Sequence, residues 1–213
     1  MTSKAQKNIN TLLFDLDGTL IDSFLIHLEV FKITFAHFGI QLNEEDFLNN
    51  YSPNWYKTYE AIGLKKEDWE KADSIWLKEV EKKTARLFPG VVKTLRLLDR
   101  NYTLGLVTSG SKIRVDRDLS ANGIKDFFET IITGDDIKAP KPSPEGIELA
   151  LKNLDKRPDE ATYIGDSSDD REMAKAAGVN FISVRSEFER LNPVKPDYQI
   201  SSITNLPELL STK

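Results

Sequence analysis

The sequence predicts an α/β fold: a parallel sheet with helices on both faces and an α-helical cap inserted after the first strand. Three features predict it. From Phe88 onward, short apolar runs alternate with helical segments, the pattern of a parallel sheet covered on both sides. Residues 22–87 show helical periodicity and no strand signal. One apolar run, Thr11-Leu12-Leu13, stands ahead of that block and leads into Phe14-Asp15. The core is therefore expected from residues 1–20 and 88–213, and the cap from residues 21–87.

Each element follows from its local pattern. Thr11–Asp15 reads as the first strand. Between Ser23 and Gly39, Phe24, Leu28, Phe31, Phe35 and Phe38 recur at three- and four-residue steps and share one helix face. Ser23 suits the N-cap and Gly39 the C-terminal stop. Asn43 ahead of Glu44-Glu45-Asp46 starts another helix, and Tyr51-Ser52-Pro53-Asn54 is a turn. Trp69, Ala72, Trp76 and Val80 line one face of a long helix over Glu67–Arg86. Phe88-Pro89-Gly90 ends the block. Helix Val91–Arg100, strand Tyr102–Thr108, helix Ser111–Asn122 and strand Thr130–Thr133 follow. Ser143 and Pro144 fit the N-cap and first position of the next helix. Strand Ala161–Gly165 leads to a helix ending near Gly178, then strands Phe181–Val184 and Tyr198–Ile200 and a short helix over Asn205–Leu210.

Composition narrows the function. At 213 residues the chain can bury a substantial core. A formal charge of −5 argues against a nucleic-acid binder, which usually carries a basic surplus. The absence of cysteine removes thiol chemistry and suits the cytoplasm. The polar N-terminus has no signal core, and no apolar run approaches the ~20 residues of a membrane span, so no membrane partner is expected.

The chemistry sits where strands end. In a parallel sheet, Asp15–Thr19, Thr108–Gly110 and Asp166–Asp170 meet at one edge, where such folds bind ligands. Asp15 and Asp17 are two residues apart, so in extended chain both carboxylates face one space. One suits nucleophilic attack on phosphorus and the other acid/base work. Alone, Asp-x-Asp-Gly is an ordinary turn; its partner motifs favour function. Asp15 and Asp166 offer carboxylates to a hard cation such as Mg²⁺, with the Asp17 backbone carbonyl as a further oxygen. Asp170 suits a metal-bound water or a lysine partner, although Ser167–Asp170 also fits helix capping. The Thr108 hydroxyl and the N–H groups of Ser109 and Gly110 suit phosphate oxygens. Lys141 precedes a proline and is held in extended chain; from residue chemistry alone, Lys138 competes with it as the phosphate cation.

Taken together, Asp15-Leu16-Asp17-Gly18-Thr19-Leu20-Ile21-Asp22-Ser23, Thr108-Ser109-Gly110, Lys141-Pro142-Ser143-Pro144 and Gly165-Asp166-Ser167-x-x-Asp170 resemble, in order and spacing, the four motifs of the haloacid dehalogenase superfamily. The helical insert is similar to the small cap of its phosphoglycolate phosphatase and beta-phosphoglucomutase subgroup. The resemblance implies a Rossmann-like three-layer core, with Asp15 as nucleophile and Asp17 as acid/base. It implies Asp15 and Asp166 as Mg²⁺ ligands supported by Asp170, and Thr108 and Lys141 on phosphate, preferring Lys141 to Lys138. In some members a histidine lies where His27 does, within reach of Asp17 when the cap closes. The segment Tyr51–Lys57 lies where these caps carry a substrate loop, which makes Asn54, Trp55 and Lys57 candidate substrate contacts.

The expected activity is Mg²⁺-dependent hydrolysis of a small phosphorylated metabolite through an aspartyl-phosphate. A phosphomutase using the same groups is the alternative. A receiver-like phospho-accepting module fits less well, because it has no use for a cap or a leaving-group acid.

Overall fold

The computed structural model describes residues 9–52, 55–186 and 198–211. Its main sheet has six strands: β1 (Thr11–Phe14), β4 (Thr103–Val107), β5 (Thr130–Ile132), β6 (Ala161–Gly165), β7 (Asn180–Val184) and β8 (Tyr198–Ile200). Their order is β5-β4-β1-β6-β7-β8, and every pairing is parallel. Strand β1 is central. Phe14 pairs with Leu106 of β4 on one side and Ile164 of β6 on the other, so the three motif-bearing strands end level with one another. The chain builds outward from β1 in both directions, which makes its C-terminal end a topological switch point.

Alternation along β1 divides the core. Leu12 and Phe14 face one apolar cluster and Leu13 faces the other. The first cluster takes Leu95 of α5 (Val91–Leu98), Leu119 of α6 (Lys112–Ala121) and Leu206 of α9 (Leu206–Ser211). The second takes Ile147 of α7 (Glu145–Leu154) and Met173 of α8 (Ser168–Ala176). The result is the expected three-layer, Rossmann-like α/β architecture.

A third apolar cluster comes wholly from residues 24–80. It joins α1 (Phe24–Ala36), α2 (Glu44–Asn50), α3 (Trp55–Ile62) and α4 (Trp69–Val80). Phe31 is at its centre, with ring contacts to Phe35, Phe47, Tyr51, Tyr59 and Trp76 at 5.5–6.4 Å. The expected caps are only partly realised. The Asn43 side chain accepts from the Asp46 N–H, but Ser23 makes no cap bond. Pro144, one residue later than expected, is the N-cap of α7.

Three local expectations need correction. The block 22–87 contains strand residues: Ile21–Asp22 (β2) pairs antiparallel with Arg86–Leu87 (β3). Two-residue strands carry no readable period, and their partners lie more than 60 residues apart. Helix α4 stops at Val80 instead of reaching Arg86, because its apolar stripe has no member at Lys83 or Thr84. Trp55–Lys57 form the first turn of helix α3, not part of a loop. The turn-favouring composition of Ser52-Pro53-Asn54 in the sequence hid the Trp55–Tyr59–Ile62 helical spacing that follows it.

Candidate active site

Asp15 leaves β1 with its N–H bonded to the Ile164 carbonyl at 2.8 Å. After Asp17 the chain turns back through Gly18 at φ +75°, a left-handed conformation that glycine adopts without Cβ strain. The N–H groups of Leu20 and Ile21 converge on the Leu16 carbonyl and close this turn. Both acids therefore border one cavity of about 70 Å³. Thr108, Ser109, Gly110, Lys141 and Asp166 line it from the core; His27, Phe31, Tyr51, Trp55 and Trp76 line it from the helical insert.

Lys141 is buried and bridges two acids. Its Nζ donates to Asp15 Oδ1 at 2.6 Å and to Asp170 Oδ1 at 2.7 Å. Burial works to lower the Lys141 pKa, but Asp15 and Asp170 outweigh it and hold the ammonium well above the ordinary lysine value. Lys138, the competitor, does not line the first cavity but an adjoining one of about 310 Å³, whose wall shares Trp55, Ser109 and Lys141 with it.

Asp170 does two jobs. It closes a capping box with Ser167 at the start of α8. Its Oδ2 accepts from the N–H groups of Asp166 and Ser167 and from the Ser167 hydroxyl, while Oδ1 takes Lys141. The helix-capping and lysine-pairing readings are thus both realised in one side chain.

Asp15, Asp166 and Asp170 bring carboxylate oxygens within 4.8 Å of one another, all three buried. Burial, reinforced by Asp170 and Asp17 and opposed by Lys141, pushes the Asp15 pKa up to about 7. Burial and the neighbouring Asp170 and Asp15 likewise raise Asp166 well above the carboxylate range. Such crowded, desolvated oxygens suit a hard divalent cation, which relieves their repulsion. The Asp170 oxygens are already committed to donors, so this side chain fits better as support than as a direct ligand.

Asp17 is set apart from that cluster. Arg114 of α6 holds it with two bonds, Nη1 to Oδ1 at 2.9 Å and Nη2 to Oδ2 at 2.5 Å. His27 Nε2 lies 3.5 Å from Oδ1. Burial acts to raise Asp17, but Arg114 and His27 prevail and hold its carboxyl well below the usual range. With its carboxylate so engaged, Asp17 has only its backbone carbonyl left to offer a cation.

The remaining candidates divide. Thr108 is buried, and its Oγ1 accepts from the Gly110 N–H at 3.3 Å. Trp55 borders the cavity and packs on Trp76 at 4.7 Å between ring centres. Lys57 is exposed on α3 and is not among the cavity-lining residues. Asn54 lies outside the described residues.

Sequence reasoning missed Arg114 and left Tyr51 without a role. Arg114 has Asp118 four residues on, which reads as a surface i,i+4 pair, and nothing local points to Asp17, 97 residues away. The Tyr51 phenol is raised well above its ordinary value by burial and by Asp17, Asp166 and Asp15, so it stays a hydroxyl donor at the cavity wall.

The family model described as haloacid dehalogenase-like hydrolase matches residues 12–184, spanning every motif above. The chain is a haloacid dehalogenase-like hydrolase. Phosphoric ester hydrolysis is the activity class this membership carries. Among relatives of this hydrolase, the pyrophosphatase PpaX of Bacillus velezensis is 32% identical, the match covering 97% of this chain and 99% of that protein. A haloacid dehalogenase-like hydrolase from Bacteroides fragilis superposes with a TM-score of 0.81 at 29% identity, covering 93% of this chain and 99% of its own. A protein from Lactobacillus plantarum assigned as a phosphoglycolate phosphatase gives 0.83 at 21% identity over 95% and 99%, a likeness of fold. No helix among the described residues is long and apolar enough to cross a membrane.

Proposed function

We propose that this hydrolase is a cytoplasmic, Mg²⁺-dependent phosphatase that cleaves a small phosphorylated metabolite through an aspartyl-phosphate on Asp15. The observation that carries this reading is the separation of two acids at one strand end: Asp15 beside the acidic cluster and Lys141, Asp17 gripped by Arg114 and His27. Divergent surroundings assign divergent roles.

Asp15 and Asp166, with the Asp17 carbonyl, would hold the cation, and Asp170 would support it through Lys141. When bound, the cation supplies charge neutralisation to the acids and the phosphoryl oxygens. Thr108, Ser109, Gly110 and Lys141 orient the phosphoryl group. An Asp15 oxygen forms a bond to phosphorus as the bond to the leaving oxygen breaks, and Asp17, once turned from Arg114 to the leaving oxygen and carrying a proton taken up from solvent, would give that proton to it. Water then attacks the aspartyl-phosphate and gives its proton to Asp17; inorganic phosphate departs and the Asp15 carboxylate is restored. The insert of residues 21–87 acts as the cap over this site, with Trp55 and His27 on its inner wall.

A second reading, inorganic pyrophosphate as substrate, draws on two observations. The Bacillus relatives are named pyrophosphatases, and Arg114 engages both oxygens of the Asp17 carboxylate. A phosphate leaving group is also a stable anion, which asks least of an acid that Arg114 holds ionised. The deciding experiment is a hydrolysis screen over phosphorylated metabolites and inorganic pyrophosphate, with Mg²⁺ and with chelator. Turnover only with Mg²⁺ supports the phosphatase, and preference for pyrophosphate selects the second reading. Full turnover under exhaustive chelation rejects the metal assignment. Acceleration by a catalytic amount of a bisphosphorylated sugar would point to the mutase.

A further inference from the structure

A line of charged side chains runs from Asp17 through α6 to the far end of α4. Arg114, besides its two bonds to Asp17, reaches Asp118 Oδ2 with Nη1 at 3.4 Å, one turn along the helix. Asp118 Oδ1 accepts from Arg117 Nε at 3.1 Å and Nη2 at 2.9 Å. Arg117 Nη1 donates onward to the Val80 carbonyl at 3.3 Å and to the Glu81 carbonyl. Val80 and Glu81 are the last residue and the C-cap of α4, where free carbonyls carry partial negative charge.

The chain is mostly buried. The Arg114 and Asp118 side chains are 4% and 1% exposed. Interior charges of this kind lose hydration and often contribute little net stability, while an apolar substitute would pack as well. Their geometry has a more specific consequence. A guanidinium is a rigid planar fork, and the Nη1 that bonds Asp17 is shared with Asp118, so the place of Asp118 bears on how the fork meets Asp17. Asp118 touches Arg114 only at Nη1, at 3.4 Å, and Arg114 presents both terminal nitrogens to Asp17.

We propose that Arg117 and Asp118 are positioning residues that transmit the seating of the α4 C-terminal end, through Arg114, to the Asp17 carboxylate. The inference rests on the reading of Asp17 as the acid/base. With Val80 and Glu81 in place, Arg117 is anchored and the fork is aimed. When that end of α4 moves off, Arg117 loses its two carbonyls, Asp118 is held less firmly, and Asp17 loses its alignment. Proton transfer is thereby linked to the position of the helix that also brings Trp76 to the cavity wall. A plain tether has its own representative: Asn122 of the same region donates to the Ala85 carbonyl at 2.9 Å and does not touch Asp17.

The test measures kcat and KM for phosphomonoesters of graded leaving-group pKa, using the full chain with Mg²⁺. The variants are Arg117→Met, Arg117→Lys, Asp118→Asn, Asn122→Ala, Asp17→Asn and the double variant Asp17→Asn/Arg117→Met. Arg117→Met and Asp118→Asn should lower kcat about tenfold for poor leaving groups, a fraction of the ~10²–10⁴ that positioned proton transfer supplies. They should change it less than about twofold for good ones, with KM nearly unchanged. Arg117→Lys should recover part of the loss, and Asn122→Ala should leave the leaving-group dependence as in the parent. In the Asp17→Asn background, Arg117→Met should add no further dependence. The inference is overturned by a uniform loss across leaving groups, by the same pattern in Asn122→Ala, or by a full Arg117→Met effect without Asp17. If Asp17→Asn itself alters no leaving-group dependence, the acid/base reading falls and this inference with it; that arm identifies which has failed.

Discussion

Asp15 and Asp17 differ by two positions and by almost everything around them. Asp15 is packed among Lys141, Asp170 and Asp166, whereas Asp17 is turned to Arg114 and His27. Replacing Asp15 by Asn keeps the shape but removes the attacking carboxylate. Turnover should fall at least about 10³-fold in steady-state phosphate release, the scale on which removing a residue from a cooperating catalytic set is felt. Activity within tenfold of the parent would remove Asp15 as nucleophile. At this scale the sequence was informative for side chains that cluster locally: Asp15 with Asp17, and Asp166 with Asp170, stand out once their motifs are read together in order. It was uninformative for Arg114, whose significance depends on an acid 97 residues away.

The elements determine which contacts reach the cavity. Helix α3 begins at Trp55, so this residue turns inward to the cavity and to Trp76, while Lys57 two positions on is exposed. Substrate choice on this element should therefore depend on Trp55 more than on Lys57. Trp55→Ala should reorder kcat/KM among natural substrates several-fold and spare acetyl phosphate, whose leaving group is too small to gain much from the insert. Equal losses on every substrate would indicate misfolding of the insert instead. The interior of the insert should obey ordinary core energetics. Phe35 is fully buried and stacks on Phe31 at 6.0 Å, away from the cavity wall. Phe35→Ala should cost roughly 3–5 kcal/mol in urea unfolding, and a loss under about 1 kcal/mol would show that the cluster collapses to fill the gap. Helical stripes such as Phe24–Phe35 were readable because a 3.6-residue period repeats over several turns. The β2–β3 pair was not, since two residues hold no period and pairing is non-local.

At the scale of the whole molecule, the acidic cluster links pH, cation and stability. The Asp15 pKa is raised to about 7 from an ordinary 3.8. Between those values the native state binds more protons than the unfolded chain, so stability falls as pH rises. Without divalent cation, the melting temperature should therefore decline between about pH 4 and pH 7 on account of this group. A cation that binds only the folded site adds stability by mass action. Mg²⁺ should accordingly raise the melting temperature more at pH 7 than at pH 5, and an equal rise at both would contradict the assignment of Asp15 as a ligand. We further propose the division of the chain into a core of residues 1–20 and 88–213 and a cap of residues 21–87; the separate apolar cluster of residues 24–80 supports it. The sequence alone determined the α/β class and the order of the motifs along the chain, because strand alternation, helix stripes and turn chemistry are all encoded within a few residues; the candidate acids were picked out by those motifs taken together. Tertiary structure decided the rest: which strands lie beside β1, that Lys141 bridges Asp15 and Asp170, and what holds Asp17. Those outcomes depend on side chains distant in sequence being desolvated together, and the strength of a buried charge pair is set by the surroundings that folding assembles.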